Sequence, residues 1–119
     1  MTPSQISVLA SDVFKALGPG HAETVYVRAL TVGLTNSQIP FELERTFPLT
    51  YKDVYIGTCR PDLIIDKTIV VEVKCVAQLS ATHKLQLQRY LRLPLITQGL
   101  LINFGPHEVD SCLFHAGEY

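Results

Sequence analysis

Two short apolar segments joined by three polar residues constrain the fold of this chain more than any other feature. The segments Cys59–Ile65 and Ile69–Val76 are rich in β-branched residues, and Asp66-Lys67-Thr68 stand between them. Apolar, β-branched runs separated by a short polar turn are typical of a β-hairpin. The sequence therefore predicts two neighbouring antiparallel strands at this point.

Helical periodicity precedes this hairpin and follows it. From about His21 to Asn36, apolar residues recur at helical spacing and predict one buried stripe: Ala22, Val25, Tyr26, Ala29, Leu30, Gly33 and Leu34. The other predicted elements are helices at Pro3–Leu17 and from Ser80 to about Leu93, and strands at Phe41–Arg45, Phe47–Tyr51, Val54–Gly57, Gly99–Phe104 and Ser111–His115. This order indicates an α/β or α+β fold in which helices cover a mixed sheet.

The composition is that of a single folded domain, which we expect to span residues 1–119. Hydrophobic residues make up 47% of the chain and charged residues 18%, which excludes a disordered tail. No apolar run reaches the roughly 18 residues that a membrane span needs, so we expect no membrane association. The segment Met1–Phe14 lacks a basic region before its apolar stretch, so we expect no signal peptide and an intracellular, cytoplasmic or nuclear location.

Charge and cysteine content narrow the function classes further. The net charge of −1 argues against a protein that coats nucleic acid by charge alone. Any contact with nucleic acid therefore requires a local basic patch, a bound metal or a dimer. The three cysteines, Cys59, Cys75 and Cys112, are scattered and odd in number. They predict reduced thiols rather than a disulfide framework, and no CxxC pair indicates a zinc or iron–sulfur site.

The hairpin carries acidic residues whose positions depend on its register. If residues 66–68 form a three-residue loop, Ile65 pairs with Ile69. Asp62 then faces Glu72, with about 4.5–5.5 Å between their Cβ atoms. Two ionised carboxylates this close repel each other unless a cation lies between them, and Mg²⁺ or Mn²⁺ prefers oxygen ligands. A two-residue loop would instead turn the acids to opposite faces of the sheet.

Lys74 lies two residues beyond Glu72, so side-chain alternation places both on one face of the strand. An ammonium group there can orient or activate an attacking water, or stabilise the charge of a pentavalent phosphate. Asp62, Glu72 and Lys74 are therefore the predicted catalytic residues. The simpler alternative is an ordinary surface face that carries one Glu–Lys pair.

Polar residues on two helices are candidates for the same site. Glu23 lies in the first turn of the second helix, where it either becomes a third metal ligand or only stabilises the helix N-terminus through the dipole. In the late helix, Gln86 and Tyr90 are four residues apart and share a face, with His83 one turn earlier. The ridge formed by these residues could bind a phosphate, a base or Lys74. The alternative is that it is only a solvent-exposed edge of the helix.

Several short motifs occur here in an order that resembles a known family. They are Gly20-x-x-Glu23-x-x-Tyr26, Pro61-Asp62, Glu72-Val73-Lys74, Gln86-x-x-x-Tyr90-Leu91 and Gly99-Leu100-Leu101-Ile102-Asn103-Phe104. In this order they resemble the GxxExxY proteins, which are assigned to the PD-(D/E)xK nuclease superfamily. The match extends from about Ile6 to Phe104, whereas the tail from Gly105 to Tyr119 matches poorly.

The resemblance implies a fold, a cofactor and roles for individual residues. The implied fold is a restriction-endonuclease-like α/β core with a central mixed sheet flanked by helices. Asp62 and Glu72 would ligate Mg²⁺ or Mn²⁺. The Val73 carbonyl and Glu23 would be further ligands, and Lys74 would assist the hydrolytic water.

The resemblance also implies substrate contacts and a reaction. Gln86 and Tyr90 match a QxxxY element that lies against the active site and substrate. We expect His83 and Arg60 to help position the substrate. The reaction would be in-line hydrolysis of phosphodiester bonds that leaves a 5′-phosphate, with DNA favoured over RNA as the substrate.

The modest basic content keeps a second function open. Arg60, Lys84, Arg89 and Arg92 form only a small basic patch, which a homodimer would double. The alternative to the enzyme is a non-catalytic accessory or interaction module that keeps the nuclease fold and acts through a partner protein.

Overall fold

The computed structural model of the protein describes residues 1–117. Over these residues the chain forms three helices and seven strands. In chain order they are α1 (Pro3–Leu17), α2 (Glu23–Asn36), β1 (Phe41–Leu43), β2 (Phe47–Tyr51), β3 (Val54–Cys59), β4 (Leu63–Ile65), β5 (Ile69–Lys74), α3 (Ala81–Tyr90), β6 (Gln98–Phe104) and β7 (Val109–His115). Within this part of the chain, no helix has both the length and the apolar character needed to cross a membrane.

Five strands form a mixed central sheet in the order β1-β4-β5-β6-β7. Neighbouring strands are antiparallel except β5 and β6, which run parallel because α3 carries the chain back between them. Strands β2 and β3 form a separate two-stranded antiparallel sheet, here named the β2–β3 ribbon (Phe47–Cys59). The ribbon therefore stands outside the main hydrogen-bond ladder.

Apolar side chains cover both faces of the central sheet. On one face, α1 and α2 contribute Ile6, Ala10, Val13, Tyr26, Val27, Leu30 and Leu34 to the core. On the other face, α3 and the segment after it contribute Leu87, Tyr90, Leu91, Leu93 and Ile96. Strand β5 lies between the two cores, which explains its continuous apolar run. The predicted class, a mixed sheet flanked by helices, is confirmed.

The hairpin between β4 and β5 has the register that the acid pair requires. Ile65 pairs with Ile69, so residues 66–68 form the connection. The first two of these residues have φ of 53° and 65°, a left-handed conformation used in tight turns. Of the two loop lengths that the sequence leaves open, the three-residue loop is the one that forms. Continued by one pair beyond the ladder, the same register brings Asp62 opposite Glu72.

The strand predicted at Cys59–Ile65 is in fact two strands in different sheets. Strand β3 ends at Cys59 in the ribbon, and β4 begins at Leu63 in the central sheet. Pro61 has no N–H to donate to a ladder, and the N–H of Asp62 donates to a side chain of β5 instead. The prediction of one continuous strand was wrong because these two residues leave the ladder.

Helix α2 is rotated relative to the predicted stripe. It buries Val27, whereas Val25 is exposed. Tyr26 fixes this rotation, because its ring stacks on Phe104 with centroids 4.2 Å apart and its hydroxyl donates to the carbonyl of Gly18 at 2.6 Å. Periodicity locates the helix, but this buried contact decides which residues face the sheet.

Asn103 holds the end of β6 to the segment that follows β5. The residue is fully buried. Its Nδ2 donates to the carbonyl of Val76 and its Oδ1 accepts the Val76 N–H, both at 2.9 Å. Val76 lies beyond the end of β5, so these two bonds satisfy backbone groups that the ladder does not serve.

Replacing Asn103 by alanine should lower the free energy of unfolding by about 2–3 kcal/mol, because the N–H and the carbonyl of Val76 would both lose a buried partner. Urea unfolding followed by circular dichroism measures this change. Asn36→Ala, at an exposed position, is the matched control and should change the free energy by less than about 0.5 kcal/mol. Equal effects of the two substitutions would contradict the role of Asn103.

Candidate metal centre and active site

The two acids of the hairpin hold each other in place through the backbone. The N–H of Asp62 donates to Oε1 of Glu72 at 2.7 Å. The N–H of Val73 donates to Oδ2 of Asp62 at 2.9 Å. One oxygen of each carboxylate is thereby fixed by a backbone donor, and the second oxygen of each is the group that can bind a ligand.

Val73 presents a further oxygen at the same edge of β5. Its N–H points to the Asp62 side chain, because β4 begins only at Leu63 and offers no ladder partner at this level. In an extended strand the N–H and the C=O of one residue point to the same edge. The Val73 carbonyl therefore lies on the edge that carries the Asp62 carboxylate.

Glu72 is a buried acid with a strongly shifted pKa. Only 4% of its surface is exposed. Burial, followed by the charge of Asp62, raises the pKa of Glu72 from 4.5 to about 7, although the hydrogen bond from the Asp62 backbone acts in the opposite direction. Burial also raises the pKa of Asp62. Two full negative charges are thus unfavourable here without a compensating cation.

Lys74 supplies a positive charge beside the pair. It is the last residue of β5, and alternation along the strand places it on the same face as Glu72. Burial dominates the pKa shifts of Asp62 and Glu72, but the Lys74 ammonium lowers both pKa values, so it lies within electrostatic reach of both carboxylates. The structure therefore brings the two acids and the lysine into one neighbourhood.

Glu23 lies across a small pocket from Asp62. The pocket has a volume of about 130 Å³ and is bordered by the start of α2 and the end of β1. Beyond burial and the charge of Asp62, the charge of Glu23 also raises the pKa of Glu72. Within residues 1–117, however, no three His, Cys, Asp or Glu side chains form a group that could hold a metal ion. Glu23 thus borders the acid pair without forming one ligand group with it.

The donor set fits a hard divalent cation. Two carboxylates and one backbone carbonyl, from Asp62, Glu72 and Val73, are oxygen ligands that meet at one strand edge. Mg²⁺ is usually held by one or two carboxylates while waters and substrate phosphates complete its shell. A third protein carboxylate is therefore not required for such an ion to bind here.

Tyr90 of α3 lies near the acids, and Gln86 bonds to Tyr90. Burial, and then the charge of Glu72, raises the pKa of Tyr90 to about 12, with a smaller contribution from Asp62. A side-chain hydrogen bond with Gln86 lowers this pKa but does not outweigh the other effects. Tyr90 is consequently a neutral phenol near pH 7, and the ridge expected from the i, i+4 spacing reaches the site.

His83 and Arg60, both expected to position substrate, have different surroundings. His83 completes the capping box at the start of α3: its Nδ1 accepts the N–H of Ser80, and its own N–H donates to Ser80 Oγ. Arg60 is exposed and lines a groove together with Tyr90. The structure thus gives His83 a local role in helix capping and leaves Arg60 beside the Gln86–Tyr90 ridge.

Two further residues at the site were not singled out from the sequence. Glu44 and Arg28 line the pocket beside Asp62. The N–H of Glu44 donates to the carbonyl of Asp62 at 3.2 Å, and after burial its charge contributes to the raised pKa of Asp62. No local sequence signal marks Glu44, because it reaches the site through the non-local pairing of β1 with β4.

Comparisons with known proteins bear on the fold and the family. The family model of the PD-(D/E)XK nuclease superfamily matches residues 2–112, which include both acids and the lysine. No curated protein matches the chain. The crystal structure of SSO0001 is similar at 26% identity with a TM-score of 0.61, and the match covers 77% of this chain. It covers 48% of SSO0001, so the chain spans about half the length of that protein.

In metal-free solution, the stability of the protein should fall as the pH rises from about 5 to about 8. The pKa of Glu72 in the folded state, about 7, exceeds the ordinary value of 4.5. The folded state therefore binds the proton more tightly, and this advantage is lost as the pH rises through the folded pKa. Glu72→Gln should remove most of this decline in stability. At pH 8 the free energy of unfolding of the variant should exceed that of the wild type by up to about 3 kcal/mol.

Urea unfolding in EDTA across this pH range measures the effect. Glu108→Gln, at an exposed acid after β6, is the matched control and should retain the pH dependence of the wild type. A Glu72→Gln variant whose stability falls as steeply as that of the wild type would show that Glu72 does not control the titration.

Proposed function

Because the chain belongs to the PD-(D/E)XK nuclease superfamily, we propose that it is a metal-dependent nuclease that hydrolyses phosphodiester bonds, with DNA favoured over RNA. The observation that carries this proposal is the reciprocal bonding between Asp62 and the Glu72–Val73 segment, with the charge of Lys74 nearby. This arrangement supplies oxygen ligands for a cation and an ammonium group next to the position of a reacting phosphate.

Each residue of the site has its own task. Asp62, Glu72 and the Val73 carbonyl hold Mg²⁺ or Mn²⁺, which when bound stabilises negative charge on the phosphate. The Lys74 ammonium donates a hydrogen bond to the attacking water or to a phosphate oxygen and stabilises the charge that develops there. The water oxygen bonds to phosphorus and gives up a proton, the bond to the 3′-oxygen breaks, and that oxygen gains a proton. The product carries a 5′-phosphate.

Residues around this centre position the substrate. Tyr90 is a neutral phenol beside the acids, so it can donate a hydrogen bond to a phosphate oxygen, and Gln86 orients it. Glu23 can hold a water molecule in the pocket that it shares with Asp62. We leave His83 out of this group, because its Nδ1 and its backbone N–H are both engaged in capping α3.

We also assign the chain to the GxxExxY group, as one domain of residues 1–119 that acts inside the cell. Tyr26 supports the group assignment, since the position needs both a ring to stack on Phe104 and a hydroxyl to bond the carbonyl of Gly18. Two cores that share one central sheet support a single domain. The free thiols of Cys59, Cys75 and Cys112 suit a reducing compartment.

A non-catalytic module that acts through a partner is the second candidate function. Two observations favour it: within residues 1–117 no third metal-ligating side chain groups with the two acids, and the β2–β3 ribbon exposes Tyr51, Val54, Tyr55 and Ile56. Such a module would keep its cellular function in a Glu72→Ala variant, whereas the nuclease would lose it.

The purified protein should cleave DNA or RNA in Mg²⁺ or Mn²⁺, and Asp62→Asn, Glu72→Gln and Lys74→Met should each lower the rate by about 100-fold or more, because each removes a charge next to the reacting phosphate. Gel assays with labelled single-stranded and duplex substrates measure the rate. Lys15→Met and Glu108→Gln are exposed, matched controls and should retain the wild-type rate. Absence of metal-dependent cleavage of any of these substrates would overturn the proposed activity.

Metal binding should be visible without turnover. At pH 8, Mn²⁺ should raise the melting temperature of the wild type, because the ion binds only the folded state and relieves the repulsion between Asp62 and Glu72. Glu72→Gln and Asp62→Asn should respond at most weakly to Mn²⁺, while Glu108→Gln should respond like the wild type. A shift of the same size in all four proteins would mean that the ion binds elsewhere.

A further inference from the structure

A groove runs between the β2–β3 ribbon and the end of helix α3. Leu49, Thr58 and Cys59 line it on the ribbon side, and Arg89, Tyr90 and Leu93 line it on the other. Its volume is about 540 Å³, which is larger than that of the pocket beside Asp62. The residues of this groove belong to neither the acid pair nor its ligand set.

The groove concentrates positive charge on a chain that is slightly acidic as a whole. Arg60, Arg89 and Arg92 all line it, and within residues 1–117 no acidic side chain is among its lining residues. Burial raises the pKa of Cys59 while the charge of Arg89 lowers it, so the Arg89 guanidinium lies close to the opposite wall. Arg60 and Arg89, one on each wall, match the phosphates of a nucleic-acid strand better than an apolar segment of protein.

Tyr51 extends the ribbon wall of the groove with an exposed aromatic ring. It lies two residues beyond Leu49 on β2, beside the turn that ends the ribbon, and the pairing with β3 shifts register between Leu49 and Thr50. The ring is 63% exposed, and Lys52 Nζ lies 5.4 Å from its centroid. An exposed ring beside a basic groove is the combination that proteins use to bind unpaired bases.

Tyr90 connects the groove to the acid pair. The side chain lines the groove with Arg89, and the charges of Glu72 and Asp62 both act on its hydroxyl. Tyr90 therefore borders the groove and lies within electrostatic reach of the acids, so a ligand in the groove would approach the candidate metal centre at this residue.

We propose that this groove binds a single strand of nucleic acid and leads it to Asp62 and Glu72, with its phosphates on Arg60 and Arg89 and a base on Tyr51. The inference rests on the proposed nuclease function and names its substrate class: single-stranded ends or flaps rather than intact duplex.

The size of the groove supports a single strand. A volume of about 540 Å³ is in the range of pockets that enclose one drug-sized molecule, which is roughly the space of one or two nucleotides. The major groove of a DNA duplex is by itself about 12 Å wide, so a whole duplex far exceeds this space. The groove can therefore enclose a short stretch of one strand but not a whole duplex.

Binding in EDTA tests this inference separately from catalysis. Fluorescence anisotropy with labelled oligo(dT), oligo(rU) and a dT·dA duplex should show at least about tenfold tighter binding of one or both single strands than of the duplex. The preference between dT and rU identifies the sugar. Equal or tighter binding of the duplex would overturn the inference.

Two kinds of variant separate the roles of charge and stacking. Arg60→Gln combined with Arg89→Gln should reduce the slope of log affinity against log salt by about 1.4, since each phosphate contact on a single strand contributes about 0.7. Tyr51→Ala should weaken binding by roughly 5- to 100-fold with the slope unchanged, because stacking does not release counterions.

Each variant has a matched control. Lys15→Gln combined with Lys67→Gln makes the same change in net charge at exposed residues that do not line the groove and should leave the slope as in the wild type. Tyr55 is as exposed as Tyr51 and is paired with Thr50, next to Tyr51, on the neighbouring strand, so Tyr55→Ala tests whether the loss is specific to Tyr51 and should bind like the wild type. Losses in the controls equal to those in the groove variants would overturn the inference.

Two further outcomes distinguish this inference from its neighbours. If the wild type binds single strands but no preparation cleaves them, strand binding in the groove is supported and the nuclease function fails. If it cleaves duplex without preference for single strands, the nuclease function is supported and the role of the groove fails. Light scattering on the wild type and Tyr51→Ala measures the oligomeric state and tests whether the ribbon is instead a dimer interface. A dimer that Tyr51→Ala dissociates, with strand binding unchanged, would make the ribbon an interface between copies and overturn its role here.

Discussion

The register of the β4–β5 hairpin is the constraint on which the candidate site depends. Three residues connect the strands, so Asp62 and Glu72 stand opposite each other and exchange bonds with the backbone of the facing segment. A loop shorter by one residue would turn the acids to opposite faces of the sheet. Local turn geometry thus determines whether the two acids can approach one cation.

The position of this hairpin in the sheet explains the electrostatics. Strand β5 lies between two apolar cores, and Glu72 is almost fully removed from solvent. Burial in that position raises the pKa of Glu72. The ionised acid lowers the stability of the folded state at neutral pH unless a cation or a proton is bound. Such an unfavourable buried pair is typical of a functional site rather than of a purely structural one. Membership of the PD-(D/E)XK nuclease superfamily agrees with that interpretation.

Individual elements show how far sequence patterns predict the structure. Apolar runs on both sides of a short polar turn predict the β4–β5 hairpin, and capping residues predict helix α3, because both depend on neighbours close in the chain. The register that pairs Ile65 with Ile69 is left open by the sequence and is given by the structure. Periodicity correctly predicts that Tyr26, Leu30 and Leu34 of α2 are buried. It is wrong for Val25, which is exposed while Val27 is covered, because Tyr26 is anchored by a distant strand. Pattern alone also cannot separate the ribbon from the central sheet, since apolar β-branched residues favour either.

The sequence by itself determines the chemistry that is available: the acid pair, the lysine two residues further on, and the spacing that places them on one hairpin. These features are local, so side-chain alternation and loop length are enough to predict them. Only the tertiary structure decides what surrounds them: Glu44 at the pocket, Tyr90 against the acids, and Arg60 facing Arg89 across a groove. Those neighbours come from segments that are far apart in the chain, and they meet because apolar faces on both sides of the sheet must be covered at once.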